Sequence, residues 1–412
     1  MNKRRICLVS PGHVASNPRL VKEANALQAA NFQVRVVAGD YMAEIRPLDQ
    51  TILSTAAWSW VQVDQGSKLS YFQRKFRQKF AHDLVSRGWM PNLSVAIWAH
   101  HPMSLKLAEA AAAEPADLYI AHCLAALPAV AIAAQQHNAK FGFDAEDFHI
   151  GELPNTPAHA PEMAVRDRIE RTLLPQCAHL TAASPMIAKT YAERYGVNME
   201  PILNVFSLAE APTSPERQQG DRIGVEPSLY WFSQTIGPGR GLEPIIQAMG
   251  WMQTPVRLHL RGIPARGYSK QLQQLAQEAG VGDRIHLLPS APPDQMIPLA
   301  ACHDLGLSLE QTQPDNRAIC LTNKIFTYLL AGLPIVMSQT PAQAEFSGQL
   351  GEASALVNLE NPQEIAKILD SWLSDPNKLA SARKMAWELG RERYNWDFEK
   401  KHFLSLVEKA CR

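Results

Sequence analysis

An apolar run, "RICLVS" at 5–10, leads straight into Pro-Gly and then into "NPRLVKEANALQAA", where Leu20, Ala24 and Leu27 recur at helical spacing. Asn17 suits the N-cap of that helix and Pro18 its first turn. The alternation continues. "QVRVVA", "DLYIAH", "KFGFDAED", "HLTAAS" and "PILNV" read as strands, with helical runs between most of them, which predicts parallel strands covered by helices. Residues 206–227 are rich in Pro, Ser and Gln, show little apolar periodicity and read as a linker. The pattern then restarts with "SLYWFS", "VRLHLRG", "RIHLLPS" and "DLGLSL", each followed by a helical run. The expected architecture is α/β: a first Rossmann-like domain at 1–205, the linker, a second at 228–394, and an amphipathic tail at 395–412 packing back on the first. Two open parallel sheets in succession predict a cleft at the carboxyl ends of their strands.

One stretch of the second half breaks the local rules. In "NRAICLTNKIFTYLLAGLPIV" (316–336), Ile325, Tyr328 and Leu329 share one helix face, Thr322 or Asn323 serves as N-cap, and Gly332 ends the helix. Lys324 then sits in the first turn, beside the positive end of the helix dipole, where a cation is disfavoured unless an anion binds there too. A solvated surface lysine is the plain alternative. Upstream, "QTIGPGRGLEPII" places Gly237, Gly239 and Gly241 around Arg240 between a strand and a helix. Glycines admit a ligand close to the backbone, yet neither the dinucleotide fingerprint nor a P-loop is present. In isolation, a Gly/Pro turn with a solvent-exposed arginine is the preferred reading. Both cationic loops leave the carboxyl ends of strands of one sheet, and two cations there suit one polyphosphate.

Composition narrows the class. With 412 residues, 46% hydrophobic and 19% charged, the chain can bury more than one core. Forty basic residues balance forty acidic ones, so bulk charge gives no case for nucleic acid and an anion site must be local. The start has too few apolar residues before Ser-Pro-Gly for a signal peptide, and "LAALPAVAIAA" at 124–134 is too short to span a bilayer. Cys7, Cys123, Cys177, Cys302, Cys320 and Cys411 show no metal-like spacing and read as reduced thiols of a cytoplasmic protein.

"SLYWFSQTIGPGRGLEPIIQAM", "RLHLRG" and the 316–336 stretch resemble the donor half of retaining glycosyltransferases of the GT-B fold, family 4 type. "PGHVASNPRLVKEANAL", "IAHCLAALPAV" and "FDAEDFHIGE" resemble that family's acceptor half. The resemblance implies two Rossmann-like domains facing each other and a nucleotide-sugar donor. Its diphosphate would be held by Arg240 and Lys324 with no metal or other cofactor, and the loop at Leu288 and Pro289 would meet the base. Gly12, Gly237, Gly239, Arg261 and Asn323 join the donor-binding set by the same resemblance, and His122 is implied to touch the transferred sugar. A core histidine remains the alternative there. Asn17, Asp147 and His149 are expected on the acceptor side, toward a glycan or lipid-linked acceptor.

Two departures stand out. The family's paired glutamates are replaced by Ile319 and Thr327, so a threonine hydroxyl would have to meet the donor ribose. Glu310 is placed to take over one role, against the reading of a strand-end surface glutamate. The expected function is that of a glycosyltransferase moving a sugar from a nucleotide-sugar donor to an acceptor in surface glycan or glycolipid assembly, with a catalytically degenerate scaffold in glycan assembly and a nucleotide-sugar epimerase as the alternatives. Finally, "YFQRKFRQKFAH" at 71–82 interleaves Tyr71, Phe72, Phe76 and Phe80 with Arg74, Lys75, Arg77 and Lys79. As a helix it either packs its aromatic stripe in the core or lays it on an anionic membrane, at the inner face of a cytoplasmic membrane.

Overall fold

Each half of the chain builds one all-parallel sheet. The structure is a computed structural model that describes residues 3–89, 91–215 and 226–412. The later part of the expected linker, 216–225, lies outside the described residues. Contacts divide the chain into two units: residues up to Ile202 with 314–316 and 400–412, and Leu203–Gln313 with Arg317–Glu399.

In the first unit the strands are β1 (Arg5–Ser10), β2 (Gln33–Asp40), β3 (Ser59–Asp64), β4 (Leu118–His122), β5 (Lys140–Ala145), β6 (His179–Ala182) and β7 (Glu200–Pro201), in the order β3-β2-β1-β4-β5-β6-β7. Central strands such as β1 and β4 are apolar on both faces, as a sheet covered by helices on both sides requires. The expected first helix runs Pro18–Ala29, with Asn17 Oδ1 accepting from Leu20 N at 3.0 Å. β3 had no signal in the sequence because it is an edge strand with only Val63 buried. The strand expected at "PILNV" is observed one residue earlier and shorter, as Glu200–Pro201, with Ile202 N still donating to Ala182 O at 2.9 Å. The C-terminal helix is Trp396–Ala410. Its later part belongs to this unit, with Phe403, Val407 and Ala410 buried and the Phe403 ring edge-on to His179 at 6.1 Å.

The second unit contains β8 (Ser228–Ile236), β9 (Arg257–Pro264), β10 (Ile285–Leu288), β11 (Leu305–Ser308), β12 (Ile335–Ser338) and β13 (Ser354–Val357), ordered β10-β9-β8-β11-β12-β13. Leu229, Trp231, Leu258, Leu260, Leu305, Leu307 and Val336 form the centre of its core. The first residues of the expected linker are structured: Ser207 and Glu210 cap the short turn Leu208–Glu210 reciprocally. Both sheets follow the doubly wound order in which the chain starts centrally, winds to one edge and then returns to the other. The strands where the order reverses are β1 and β4 in the first unit and β8 and β11 in the second. Among the described residues no helix is long and apolar enough to cross a membrane.

Candidate functional site

In the second unit the two cationic loops converge on the β8/β11 reversal. Gly241 has φ +70°, and a Cβ there would lie 2.7 Å from Leu309 O, so glycine is required for the loop after β8 to touch the loop after β11. The expected helix runs Asn323–Leu330 with Thr322 as its extended N-cap, and Gly332, at φ +67°, follows its end. Lys324 is buried, not a solvated surface lysine. Its Nζ lies 3.0 Å from Glu310 Oε1 and 5.7 Å from the centre of the Trp231 ring. Glu310 is likewise buried, which removes the reading of a surface strand-end carboxylate. Burial pushes the Glu310 pKa up, but Lys324 above all, then Arg317 and Arg240, hold it below the ordinary carboxylate range.

Arg317 escaped the sequence reading. Its Nη1 donates to Gly239 O at 2.7 Å and so ties the loop carrying Arg240 to the segment ahead of Lys324. It lies on a separate short helix, Asp315–Ile319, and no period along the chain relates it to either. Lys324 thus pairs directly with one buried carboxylate at the carboxyl ends of β8 and β11, and the charges of Arg317 and Arg240 also act on it.

The other donor-side candidates occupy different layers. Gly237 is buried, Gly239 takes φ +70°, and Asn323 is exposed at the start of its helix. Arg261, within β9, is spent on the protein: Nε donates to the Tyr230 hydroxyl at 2.9 Å and Nη1 to Pro289 O at 2.7 Å. It braces the turn after β10, where Leu288 is half-buried and Pro289 exposed. Thr327 is fully buried in its helix, and its Oγ1 has no hydrogen-bond partner.

In the first unit the loop after β1 is fastened by a residue that no local pattern marks. His13 Nε2 accepts from Tyr41 N and Met42 N at 3.0 and 2.8 Å, which leaves Nδ1 to donate to Asp49 Oδ2 at 2.6 Å. Asp49 Oδ1 also accepts from Ala15 N at 2.8 Å, so Gly12 sits on a fixed loop, where an added Cβ would meet the Tyr41 hydroxyl at 3.9 Å. Asn17 caps its helix and also donates from Nδ2 to Glu146 Oε1 at 2.6 Å.

His122 is wholly buried at the end of β4. Its Nε2 lies 3.3 Å from Glu23 Oε2, and its Nδ1 lies 3.2 Å from Glu146 Oε1 and 3.4 Å from Asp144 Oδ2. Burial works against a charge on the ring, but Glu23, Glu146 and Asp144 together outweigh it and raise the pKa to about 10. The imidazolium is therefore used by three carboxylates, and Glu146, partly exposed, is the member of the group that reaches the surface. Asp147 accepts from Asn316 Nδ2 at 2.6 Å, and burial raises its pKa. His149 is buried with Nδ1 3.2 Å from Glu152 Oε1; burial opposes its charge, yet Glu152 raises its pKa.

Glu23, His122 and Asp144 hold their ligand atoms within 4.8 Å of one another, the spacing a metal ion needs. The set already contains its own cations. Arg19 donates Nε and Nη2 to the two Asp144 oxygens at 2.6 and 2.8 Å, which makes the group a salt-bridge network as well.

Residues 16–205 match the profile described as Glycosyl transferase 4-like domain. The whole chain superposes on HepE of Anabaena, solved with UDP and glucose, at a TM-score of 0.70 and 18% identity over 98% of this chain and 99% of that one. The chain has the GT-B fold, and its residues 16–205 are similar to a glycosyl transferase 4-like domain. Sucrose-phosphate synthase of Thermosynechococcus elongatus gives a TM-score of 0.71 at 15% identity, over 99% of each chain. WaaG, a glycosyltransferase involved in lipopolysaccharide biosynthesis, gives 0.62 at 12%, over 98% of this chain and 99% of its own. A search of curated protein sequences finds no match. For this GT-B chain the matched region includes Asn17, His122 and the Asp144–His149 segment, while Gly12, His13 and the three cations lie outside it.

Proposed function

We propose that the protein transfers a sugar from a nucleoside-diphosphate donor to a hydroxyl acceptor, with the diphosphate held in the second unit by Arg240, Arg317 and Lys324. The observation that carries this is the buried Lys324–Glu310 pair at the β8/β11 reversal, where open α/β sheets bind ligands, with the charges of Arg317 and Arg240 acting on the same carboxylate. Breaking the sugar–phosphate bond puts negative charge on the diphosphate, and cations fixed there in advance stabilise that charge more than the ground state. The capture of UDP by HepE supports uridine as the base to try first. On this reading, side-chain cations do the work of a metal, and EDTA leaves turnover unchanged. In a retaining transfer the leaving phosphate can take the acceptor's proton, and this reading assigns no protein base.

Calorimetry with UDP, GDP and ADP, followed by UDP-sugars, tests the donor. Binding of none of them would remove the reading. The loss of both family glutamates, at Ile319 and Thr327, favours a second one: a scaffold that binds donor but never releases nucleotide. Acceptor-dependent release of UDP separates the two.

The acceptor, on this proposal, is presented at an anionic membrane surface. Support comes from the helix Lys68–Ser86, whose aromatic stripe faces outward and whose only acidic residue is Asp83. Retention by vesicles containing phosphatidylglycerol tests it.

A further inference from the structure

We infer that the second unit carries a separate glycan-binding site, away from the proposed donor site, in which Trp251 is the platform for one uncharged pyranose residue. The inference goes beyond the transferase reading and stands without it.

The site lies where two helices end. The helices Leu242–Met249 and Tyr268–Glu278 pack against each other and finish together, at the turns that lead into the amino ends of β9 and β10. Gly250 lets the two turns meet, because a Cβ there would lie 2.6 Å from Ala279 O. Residues of both turns line a cavity of about 400 Å³: Gln247, Gly250, Trp251, Leu275, Glu278 and Ala279. That volume falls within the range of small-ligand sites. Trp251 is 62% exposed, yet its turn is braced. Trp251 N donates to Ala248 O at 2.8 Å, and Gln253 N and Thr254 N donate to the two Asp370 oxygens at 3.0 and 2.9 Å. The backbone under the indole is therefore ordered before any ligand arrives.

The chemistry of the lining selects the ligand. It holds no cation, one carboxylate (Glu278) and the carbonyl ends of two helices, where the helix dipoles are negative. Phosphates, nucleotides and acidic sugars are repelled. A purely apolar partner would cover the exposed Glu278 carboxylate and Gln247 amide without pairing them. A pyranose meets both demands. Its C–H face covers the indole beside Leu275 and Ala279, and its rim hydroxyls donate to Glu278 and pair with the Gln247 amide. Gln274 Nε2 donates to Glu278 Oε1 at 2.9 Å and holds the carboxylate in place. Arg240, Arg317 and Lys324 follow the carboxyl ends of their strands, so a glycan held at Trp251 leaves them free and keeps its chain at high local concentration.

Saturation-transfer NMR with maltohexaose, cellohexaose, mannohexaose and hexagalacturonate tests the site on wild type, Trp251→Ala, Trp251→Phe and Glu278→Gln. At least one neutral hexaose is expected to bind wild type, and hexagalacturonate is not. Trp251→Ala, with an unchanged melting temperature, should weaken the neutral sugar about tenfold, the loss of one aromatic stacking contact, while Trp251→Phe keeps most of the binding. Binding of no neutral hexaose overturns the inference, and so does equal binding by Trp251→Ala. Hexagalacturonate that binds as tightly as the neutral sugars and is lost in Trp251→Ala also overturns it. Tetramethylammonium that binds where no sugar does, and is lost in Glu278→Gln, reassigns the site to an organic cation. A concentration-dependent dimer that Trp251→Ala abolishes reassigns it to self-association. UDP calorimetry on the same variants should match wild type, and a chain that binds no nucleotide would lose the transferase reading and keep this one.

Discussion

Lys324 shows how one residue serves two ends. It pairs with Glu310 in the buried interior and is proposed to meet a diphosphate. Lys324→Ala should therefore do two things. Losing a charged hydrogen bond weakens UDP by roughly 1.5–3 kcal/mol, about ten- to hundredfold. It also strands the Glu310 carboxylate, and breaking a buried pair costs about 3–5 kcal/mol of stability. The double variant Lys324→Ala/Glu310→Gln should regain most of that stability and none of the affinity. Recovery of UDP binding in the double variant would mean that Lys324 never touched the diphosphate. Thr327 poses the complementary case. A buried hydroxyl without a partner costs about 1–3 kcal/mol, so Thr327→Val should raise the melting temperature of the second unit. If the hydroxyl is kept for the donor ribose, the same change weakens UDP by about 0.5–1.5 kcal/mol and leaves the 2′,3′-dideoxy analogue unaffected. Greater stability with unchanged UDP affinity would take Thr327 out of the donor site.

At the scale of elements, neighbouring strands bring ionisable groups together that lie far apart in sequence. His259 on β9 and His286 on β10 stand side by side with ring centres 4.9 Å apart. Burial, followed by His286, lowers the His259 pKa from 6.5 to about 4. The folded state thus binds a proton later than the unfolded one as pH falls. Stability from a neutral His259 is complete above pH 6.5 and is lost progressively as pH falls toward 4. His122 has the opposite sign: its pKa is raised to about 10, so its contribution is complete below 6.5 and is lost as pH rises through 10. Melting curves against pH should fall on both flanks, and His259→Phe should flatten the acid flank alone. An unaltered acid slope in that variant would clear His259 of the role.

The same pairing explains what the sequence could disclose. Helices such as Asn323–Leu330 and interior strands such as β1 carry their period in consecutive residues and were legible. The Glu310–Lys324 pair, the Arg317 tie to Gly239 and the His13–Asp49 anchor depend on which strand ends lie together, and no local pattern encodes that. The 71–82 stripe had the right period but no sign of its direction. Only the packing of Ala81 and Val85 shows which face is outward.

Over the whole molecule, the order of the chain and the order of packing differ. The tail from Lys400 belongs to the unit built by the first half of the chain, although it follows directly on residues of the second. Phe403 is the test of that arrangement, being fully buried and edge-on to His179 on β6. Phe403→Ala removes a large buried side chain and should cost about 3–5 kcal/mol, through lost transfer energy and the cavity left behind. That loss belongs to the first unit. The proposed donor site, with Arg240, Arg317, Lys324 and Glu310, belongs wholly to the second. Saturating UDP at about a hundred times its Kd should stabilise the second unit by about 2.7 kcal/mol in wild type and variant alike. Calorimetric scans with and without UDP therefore separate two effects: one transition lowered by Phe403→Ala and insensitive to UDP, another raised by UDP and insensitive to Phe403→Ala. A single transition that answers to both in proportion would show that the two cores melt as one and that stability in this chain cannot be assigned unit by unit.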